Sequence, residues 1–100
     1  MILYGAPMPA PNPRRVRIFL AEKGIDLPET PVNMFKREHK APEFRAKNSL
    51  GQIPTLELDD GQTISETVSI CRYFEEIQPE PPLFGQTAVE KAQIDMWIRR

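Results

Sequence analysis

Proline placement constrains this chain more than any other feature. Eleven of its 100 residues are proline. Pro7, Pro9, Pro11 and Pro13 alternate through one stretch near the start, and Pro79, Pro81 and Pro82 cluster near residue 80. A proline fixes its own φ, donates no amide hydrogen and pushes the preceding residue toward extended geometry. Both stretches must therefore interrupt regular structure. The second reads as a linker, 79–86, between a first unit, 1–78, and a last segment, 87–100.

The segments between these breaks carry clear local signals. Ile2-Leu3-Tyr4 is a short apolar run closed by Gly5 and reads as a strand. Asn12-Pro13 suits a helix start, with Asn as N-cap and Pro at the first helical position. Val16, Phe19, Leu20 and Lys23 then share a face, and Gly24 supplies the stop. Glu29 to Met34 reads as a second strand, which makes a parallel βαβ unit. Pro42 to Lys47 suits a short helix with Phe44 inward, followed by a turn at Asn48-Ser49-Leu50-Gly51. Thr55–Leu58 and Gln62–Ile64 flank Asp59-Asp60-Gly61 and read as a hairpin. An amphipathic helix follows from about Glu66 to Gln78, with Val68, Cys71, Phe74 and Glu75 near one face. Beyond the linker, Thr87 can cap a helix that runs to Arg100, with Val89, Ala92, Met96 and Trp97 as its apolar stripe. No stop signal follows, so that helix reads as cut short.

Composition narrows the function classes. The chain is 40% apolar and 27% charged, with a net charge of −1. That is an ordinary globular balance, with no basic field for nucleic acid or an anionic membrane and no apolar run long enough to span a bilayer. There is no secretory leader after Met1, which points to a cytoplasmic setting. Cys71 is the single cysteine and His39 the single histidine, so neither a disulfide, a CxxC redox pair nor a usual structural zinc site can be built.

Three stretches together resemble one known family. They are Ala10-Pro11-Asn12-Pro13-Arg14-Arg15-Val16-Arg17-Ile18-Phe19-Leu20-Ala21-Glu22-Lys23-Gly24, then Pro42-Glu43-Phe44 leading into Asn48-Ser49-Leu50-Gly51-Gln52-Ile53-Pro54-Thr55-Leu56, then Asp60 to Phe74 around Ser65-Glu66-Thr67. In this order and spacing they resemble the N-terminal domain of glutathione transferases, most closely a theta-related bacterial and fungal group. The resemblance implies an α/β, thioredoxin-like βαβαββα domain with a mixed four-stranded sheet, in which Thr55–Leu58 runs antiparallel to the others. It also makes residues 87–100 the first helix of an all-helical domain. The implied activity is a glutathione transferase that acts as a homodimer on a small hydrophobic electrophile, with glutathione as co-substrate and no metal.

The resemblance also implies roles for individual residues. The Ile53-Pro54 bond would be cis, turning the Ile53 backbone toward the cysteinyl unit of glutathione; an ordinary trans proline entering a strand is the alternative. Glu66 would answer the γ-glutamyl ammonium and Thr67 its carboxylate, at a helix start suited to anions. The alternative is that Ser65 or Thr67 merely caps the helix and Glu66 favours its first turn. Gln52, His39 and Lys40 are candidates for the glycine carboxylate, against a reading as solvated loop.

The family's hydroxyl or thiol near the start of the first helix falls on Ala10, which has no donor. Asn12 and the free amides of that helix are then the candidates for holding the thiolate, unless Asn12 serves only as an N-cap. Tyr4 and Cys71 read as packing residues. A glutathione-dependent disulfide reductase or peroxidase, and a non-catalytic interaction module, are the competing functions.

Overall fold

A strand presents alternate residues to opposite faces, and β1 (Ile2–Gly5) uses this to serve two layers. The structure, a computed structural model, describes residues 1–6, 10–33 and 36–100. Leu3 is buried on one face with Val16, Leu20, Leu56, Ile70 and Phe74. Tyr4 faces the other way and meets Phe44 edge-on, with ring centroids 5.9 Å apart.

The sheet order is β2-β1-β3-β4. β1 pairs parallel with β2 (Glu29–Pro31) and antiparallel with β3 (Thr55–Glu57), which pairs antiparallel with β4 (Thr63–Ser65). Leu3, Leu56 and Ile64 stand opposite one another across three strands and form one apolar row. The mixed sheet, with the third strand antiparallel to its neighbours, is the one the sequence led us to expect. β2 is shorter than anticipated: it ends at Pro31, which lacks an amide and is tolerated because β2 is an edge strand. Met34, placed by sequence at the end of this strand, and Pro7 and Pro9 lie outside the described residues.

Helices α1 (Pro11–Lys23) and α3 (Thr67–Ile77) cover the Leu3 face, and the short α2 (Pro42–Arg45) covers the opposite one with Phe44 buried. α1 begins earlier than the Asn12-Pro13 signal suggested. Ala10 is the N-cap and Pro11 the first helical residue. The bias against helical geometry before a proline sets the boundary at Ala10 and is overridden at Asn12, because first-turn amides lack partners and prolines are accepted there. Gly24 ends the helix at φ 68°, its amide bonded to the Ala21 carbonyl at 3.1 Å while Ile25 N–H reaches Leu20 at 2.9 Å. In α3 the buried line is Thr67, Ile70, Cys71 and Phe74, so Cys71 and Phe74 lie on the expected face while Val68 and Glu75 at its side are half-buried. The architecture is thioredoxin-like.

The segment after α3 does not hang free. Lys23, with a side chain fully shielded from solvent, pairs with Glu75 at 2.6 Å. It also donates to the carbonyls of Gln78 at 2.8 Å and Pro81 at 2.6 Å. Glu75 in turn accepts from the amides of Leu83 at 3.3 Å and Phe84 at 3.1 Å. Burial alone would raise the Glu75 carboxyl pKa, but Lys23 and these two amides outweigh it and hold it below its ordinary value. Phe84 thereby enters the core beside Phe19, at 5.6 Å between centroids.

Helix α4 (Ala88–Arg99) follows, started by a reciprocal capping box between Thr87 and Glu90. Its expected stripe is turned: Val89, Met96 and Trp97 are exposed, and Ile94 and Ile98 pack on the core instead. The reason is tertiary. Asp95 pairs with Arg72 of α3 at 2.8 Å, and Arg72 stacks 4.7 Å from the Phe84 ring, which fixes the rotation of α4.

Candidate functional site

The pairing register brings the candidate residues to one end of the sheet. Tyr4 stands opposite Thr55, and Thr55 opposite Ser65. The chain therefore leaves β1 toward the start of α1, enters β3 from Ile53-Pro54 and leaves β4 into Glu66-Thr67, all at that same end. Ligands of sheet proteins with covering helices gather where strands hand over to helices.

The Ile53-Pro54 peptide is cis, with Pro54 buried and Ile53 half-buried. Asn48, which sequence reading assigned only to a turn, organises this loop. Its side-chain amide donates to the Gln52 carbonyl at 2.9 Å and to Thr55 Oγ1 at 3.2 Å, and its oxygen accepts from the Leu50 amide at 3.1 Å. The turn itself is closed by Gly51 N–H to the Asn48 carbonyl at 2.8 Å. Asn48→Ala leaves buried partners unpaired, so we expect a stability loss of about 1–3 kcal/mol, read as a lower denaturant midpoint at unchanged slope. A midpoint equal to that of the unaltered protein would refute this role.

Glu66 is the N-cap of α3 and adopts φ 76°, ψ 124°. A non-glycine residue held there carries strain of about 1–3 kcal/mol, a condition concentrated at functional sites. No side chain caps the helix, so the reading of Ser65 or Thr67 as a plain cap fails. Thr67, Val68 and Ser69 have amides without partners inside the helix. Thr67 itself is buried, while the Glu66 side chain is exposed. The arrangement offers a positive helix end, a hydroxyl and a carboxylate within adjoining residues.

His39 and Lys40 lie on a single helical turn, Glu38–Lys40, packed against the Asn48–Gly51 turn. Gly51 sits at φ 61°, and a Cβ there would stand 2.5 Å from the His39 carbonyl, so only glycine permits the approach. The structure thus brings His39, Lys40 and Gln52 close along the chain's fold. Lys40 Nζ donates to the Leu50 carbonyl at 3.1 Å, and the Gln52 side chain is exposed. His39 Nδ1 is buried with no partner among the described residues. Burial, then the charges of Lys40 and Arg37, lower the His39 pKa from 6.5, so the imidazole is neutral near pH 7 and can serve as a hydrogen-bonding group there.

Asn12 is not an N-cap. It is the second residue of α1 and exposed, with its side chain unused in capping. The expected set of free amides at this helix also shrinks. Pro11 and Pro13 have none, and Arg14 N–H already reaches the Ala10 carbonyl at 3.1 Å. Within the first turn only the Asn12 amide remains. Ala10 contributes no donor side chain. Tyr4 is engaged on the α2 side of the sheet, its hydroxyl donating to Glu57 Oε2 at 3.0 Å, while Lys47 pairs with Glu57 at 3.1 Å. Burial first, then Glu57, raise its pKa. Burial likewise pushes the Cys71 thiol up to about 11, so it is a packing group rather than a nucleophile.

Beside Thr67 an apolar cleft of about 260 Å³ runs between α1, α3 and α4, walled by Phe19, Cys71, Leu83, Phe84 and Ile98, with Arg15 at its rim.

Residues 10–77 match the family described as glutathione S-transferase, N-terminal domain. The whole chain is 45% identical to glutathione S-transferase 2 of Saccharomyces cerevisiae, over 43% of that protein. Among solved structures, a glutathione S-transferase domain-containing protein of Marinobacter aquaeolei superposes with a TM-score of 0.90 at 41% identity, covering 96% of this chain and 47% of the other. Gtt2 of Saccharomyces cerevisiae superposes at 0.89 with 46% identity, again over 96% and 47%. The chain thus spans less than half the length of these relatives.

Proposed function

The chain belongs to the glutathione S-transferase N-terminal domain family, and from that premise we propose that it binds glutathione and holds its thiol as thiolate for attack on a small hydrophobic electrophile. One observation carries this reading. The uncapped start of α3, with buried Thr67 and strained Glu66, stands beside the backbone of Ile53-Pro54.

Thr67 would give its hydroxyl and amide to the γ-glutamyl carboxylate, and Glu66 would take the ammonium. The Ile53 backbone would pair with the cysteinyl unit as a short added strand. Gln52, His39 and Lys40 would hold the glycine carboxylate. Asn12 and its amide would stabilise the thiolate at the positive end of α1, once the thiol proton has passed to solvent. The sulfur then forms a bond to the electrophilic carbon as that carbon's bond to its leaving group breaks and the group departs with the electron pair. Residues 1–78 are the glutathione unit of this proposal, 79–86 the linker and 87–100 the first helix of a helical domain. A homodimer in the cytoplasm, serving detoxification, completes it. No helix among the described residues is long and apolar enough to cross a membrane.

Ala10 favours a second reading. Without a donor side chain at this position, glutathione would be bound but not activated, as in a non-catalytic interaction module. A glutathione-dependent disulfide reductase or peroxidase has no nucleophile in Cys71 and would draw its thiol from glutathione.

Calorimetric titration of the intact protein with glutathione tests the binding. Saturable binding is expected, with a dissociation constant raised about tenfold in Thr67→Ala, the effect of losing one charge-assisted hydrogen bond. Absence of binding by the unaltered protein would remove both enzymatic readings. Binding without conjugation or disulfide reduction would favour the interaction module.

A further inference from the structure

The one-turn helix α2 has too few residues to hold its own shape, so contacts outside it must fix where it lies. Phe44 sets its depth, since the ring is buried and meets Tyr4 edge-on. Its place along the sheet is set by the two residues that follow, Lys47 and Asn48. Lys47 Nζ reaches Glu57 at 3.1 Å, and Asn48 Nδ2 reaches Thr55 Oγ1 at 3.2 Å. Thr55 and Glu57 alternate on β3, so they share one face and stand roughly 7 Å apart along the strand. Two attachments at that spacing fix both the place and the direction of the chain that crosses them.

The Lys47–Glu57 pair has no part in the chemistry above. Glu57 is held from two sides, by Lys47 and by the Tyr4 hydroxyl, which donates to it at 3.0 Å. Lys47 first, then Tyr4, keep its carboxyl below the ordinary carboxylate range, so it is charged at neutral pH. Both members of the pair are half-buried. An ion pair of this exposure adds little to overall stability. It can still select one position for a short segment.

That position governs a corner of the candidate site. The loop after Asn48 returns to the same strand at Ile53-Pro54. On the way Gly51 comes so close that a Cβ there would stand 2.5 Å from the His39 carbonyl and 3.1 Å from Lys40 Cδ. Lys40 Nζ donates to the Leu50 carbonyl at 3.1 Å. His39, Lys40 and Gln52 are therefore carried by one packed unit, and its register against β3 rests on residues 47 and 48.

We propose that Lys47 and Glu57 are positioning residues for the glycine end of the peptide: by registering this unit on β3 they place His39, Lys40 and Gln52 at the glycine carboxylate, and so make the site prefer glutathione to γ-glutamylcysteine, which lacks the glycine. This rests on the glutathione reading above. Neither residue touches the peptide. Glu66 and Thr67 follow β4 and start α3, so the γ-glutamyl end is placed independently of the pair.

The experiment titrates the intact protein and its Lys47→Met, Glu57→Gln and Lys47→Arg variants calorimetrically with glutathione and with γ-glutamylcysteine. The unaltered protein should bind glutathione the more tightly. Lys47→Met and Glu57→Gln should each raise the dissociation constant for glutathione about fivefold, the scale on which one link of a connected network shifts binding. That for γ-glutamylcysteine should stay within about twofold. Lys47→Arg, which keeps the cation, should restore most of the preference. Parallel weakening of both peptides would reduce the pair to a general stabiliser and overturn the proposal. So would a preference unchanged in both charge-removing variants, or one lost as fully in Lys47→Arg as in Lys47→Met. Should Lys47→Met fail to fold, Glu57→Gln, which keeps the side-chain shape, supplies the same comparison. An unaltered protein that binds neither peptide would sink the glutathione reading and the proposal with it. Equal binding of both peptides by the unaltered protein would sink the proposal and leave the γ-glutamyl site standing.

Discussion

Phe74→Ala is expected to lower the unfolding free energy by about 3–5 kcal/mol, the usual cost of emptying a buried aromatic position. Phe74 has no exposed surface and sits where α3 meets the sheet and α1, among Leu3, Val16, Leu20, Leu56 and Ile70. Tyr73 meets its ring edge-on at 5.5 Å between centroids. Atoms from four elements close around it, so collapse of the cavity would require α3 to shift against the strand row beneath. A domain of ordinary stability holds only about 5–15 kcal/mol, so the loss is a large fraction of the whole. Denaturant unfolding of the purified protein checks it, with Ile77→Ala as a comparison, since Ile77 is 51% exposed. A Phe74→Ala shift no larger than that of Ile77→Ala would mean the core is not anchored here.

On the proposed reading, in which Asn12 and its amide hold the glutathione thiolate, Asn12→Pro should abolish most of that thiolate while leaving the helix in place. A proline is compatible with the first turn, and Pro11 and Pro13 already flank this position. The substitution removes the last amide available in that turn. Free thiols ionise near about 8.5, so the bound thiolate population at pH 7 would fall to a few per cent, with a drop in conjugation rate of up to about thirtyfold. Ultraviolet absorbance of the thiolate against pH, with glutathione bound, reads the shift directly. Asn12→Ala keeps the amide and separates it from the side chain. If neither variant moves the thiol pKa, the thiolate is held elsewhere and Asn12 is not the catalytic group.

Much of the site's placement was legible before the structure. The three stretches that resemble the family include Ile53-Pro54, Gln52 and Glu66-Thr67, and the hairpin signal at Asp59-Asp60-Gly61 sets β3 against β4. Once those strands pair, Ile53 and Glu66 must end side by side. Less visible were residues whose role depends on distant partners. Asn48 looked like a turn residue, and only its bonds to Gln52 and Thr55 show it shaping the loop. His39 gave no sign that its Nδ1 would be buried without a partner.

The sequence by itself determined the breaks and the periods. Prolines and glycines end elements through backbone geometry that acts within a few residues, and alternation or helical spacing selects strand or helix on the same scale. The tertiary structure decided what local chemistry leaves degenerate. It moved the N-cap from Asn12 to Ala10, because both X-Pro steps satisfy the same local rule. It drove Glu66 to positive φ, a conformation its own preferences oppose and only the junction of β4 with α3 enforces. It rotated α4 so that Ile94 and Ile98 face inward, with Arg72 of α3 holding Asp95 of α4 from outside the helix's own sequence. It also buried Lys23, which the sequence places on the face of Val16, Phe19 and Leu20 and whose charge is stable inside only because Glu75 and the linker backbone, more than 50 residues away, meet it there.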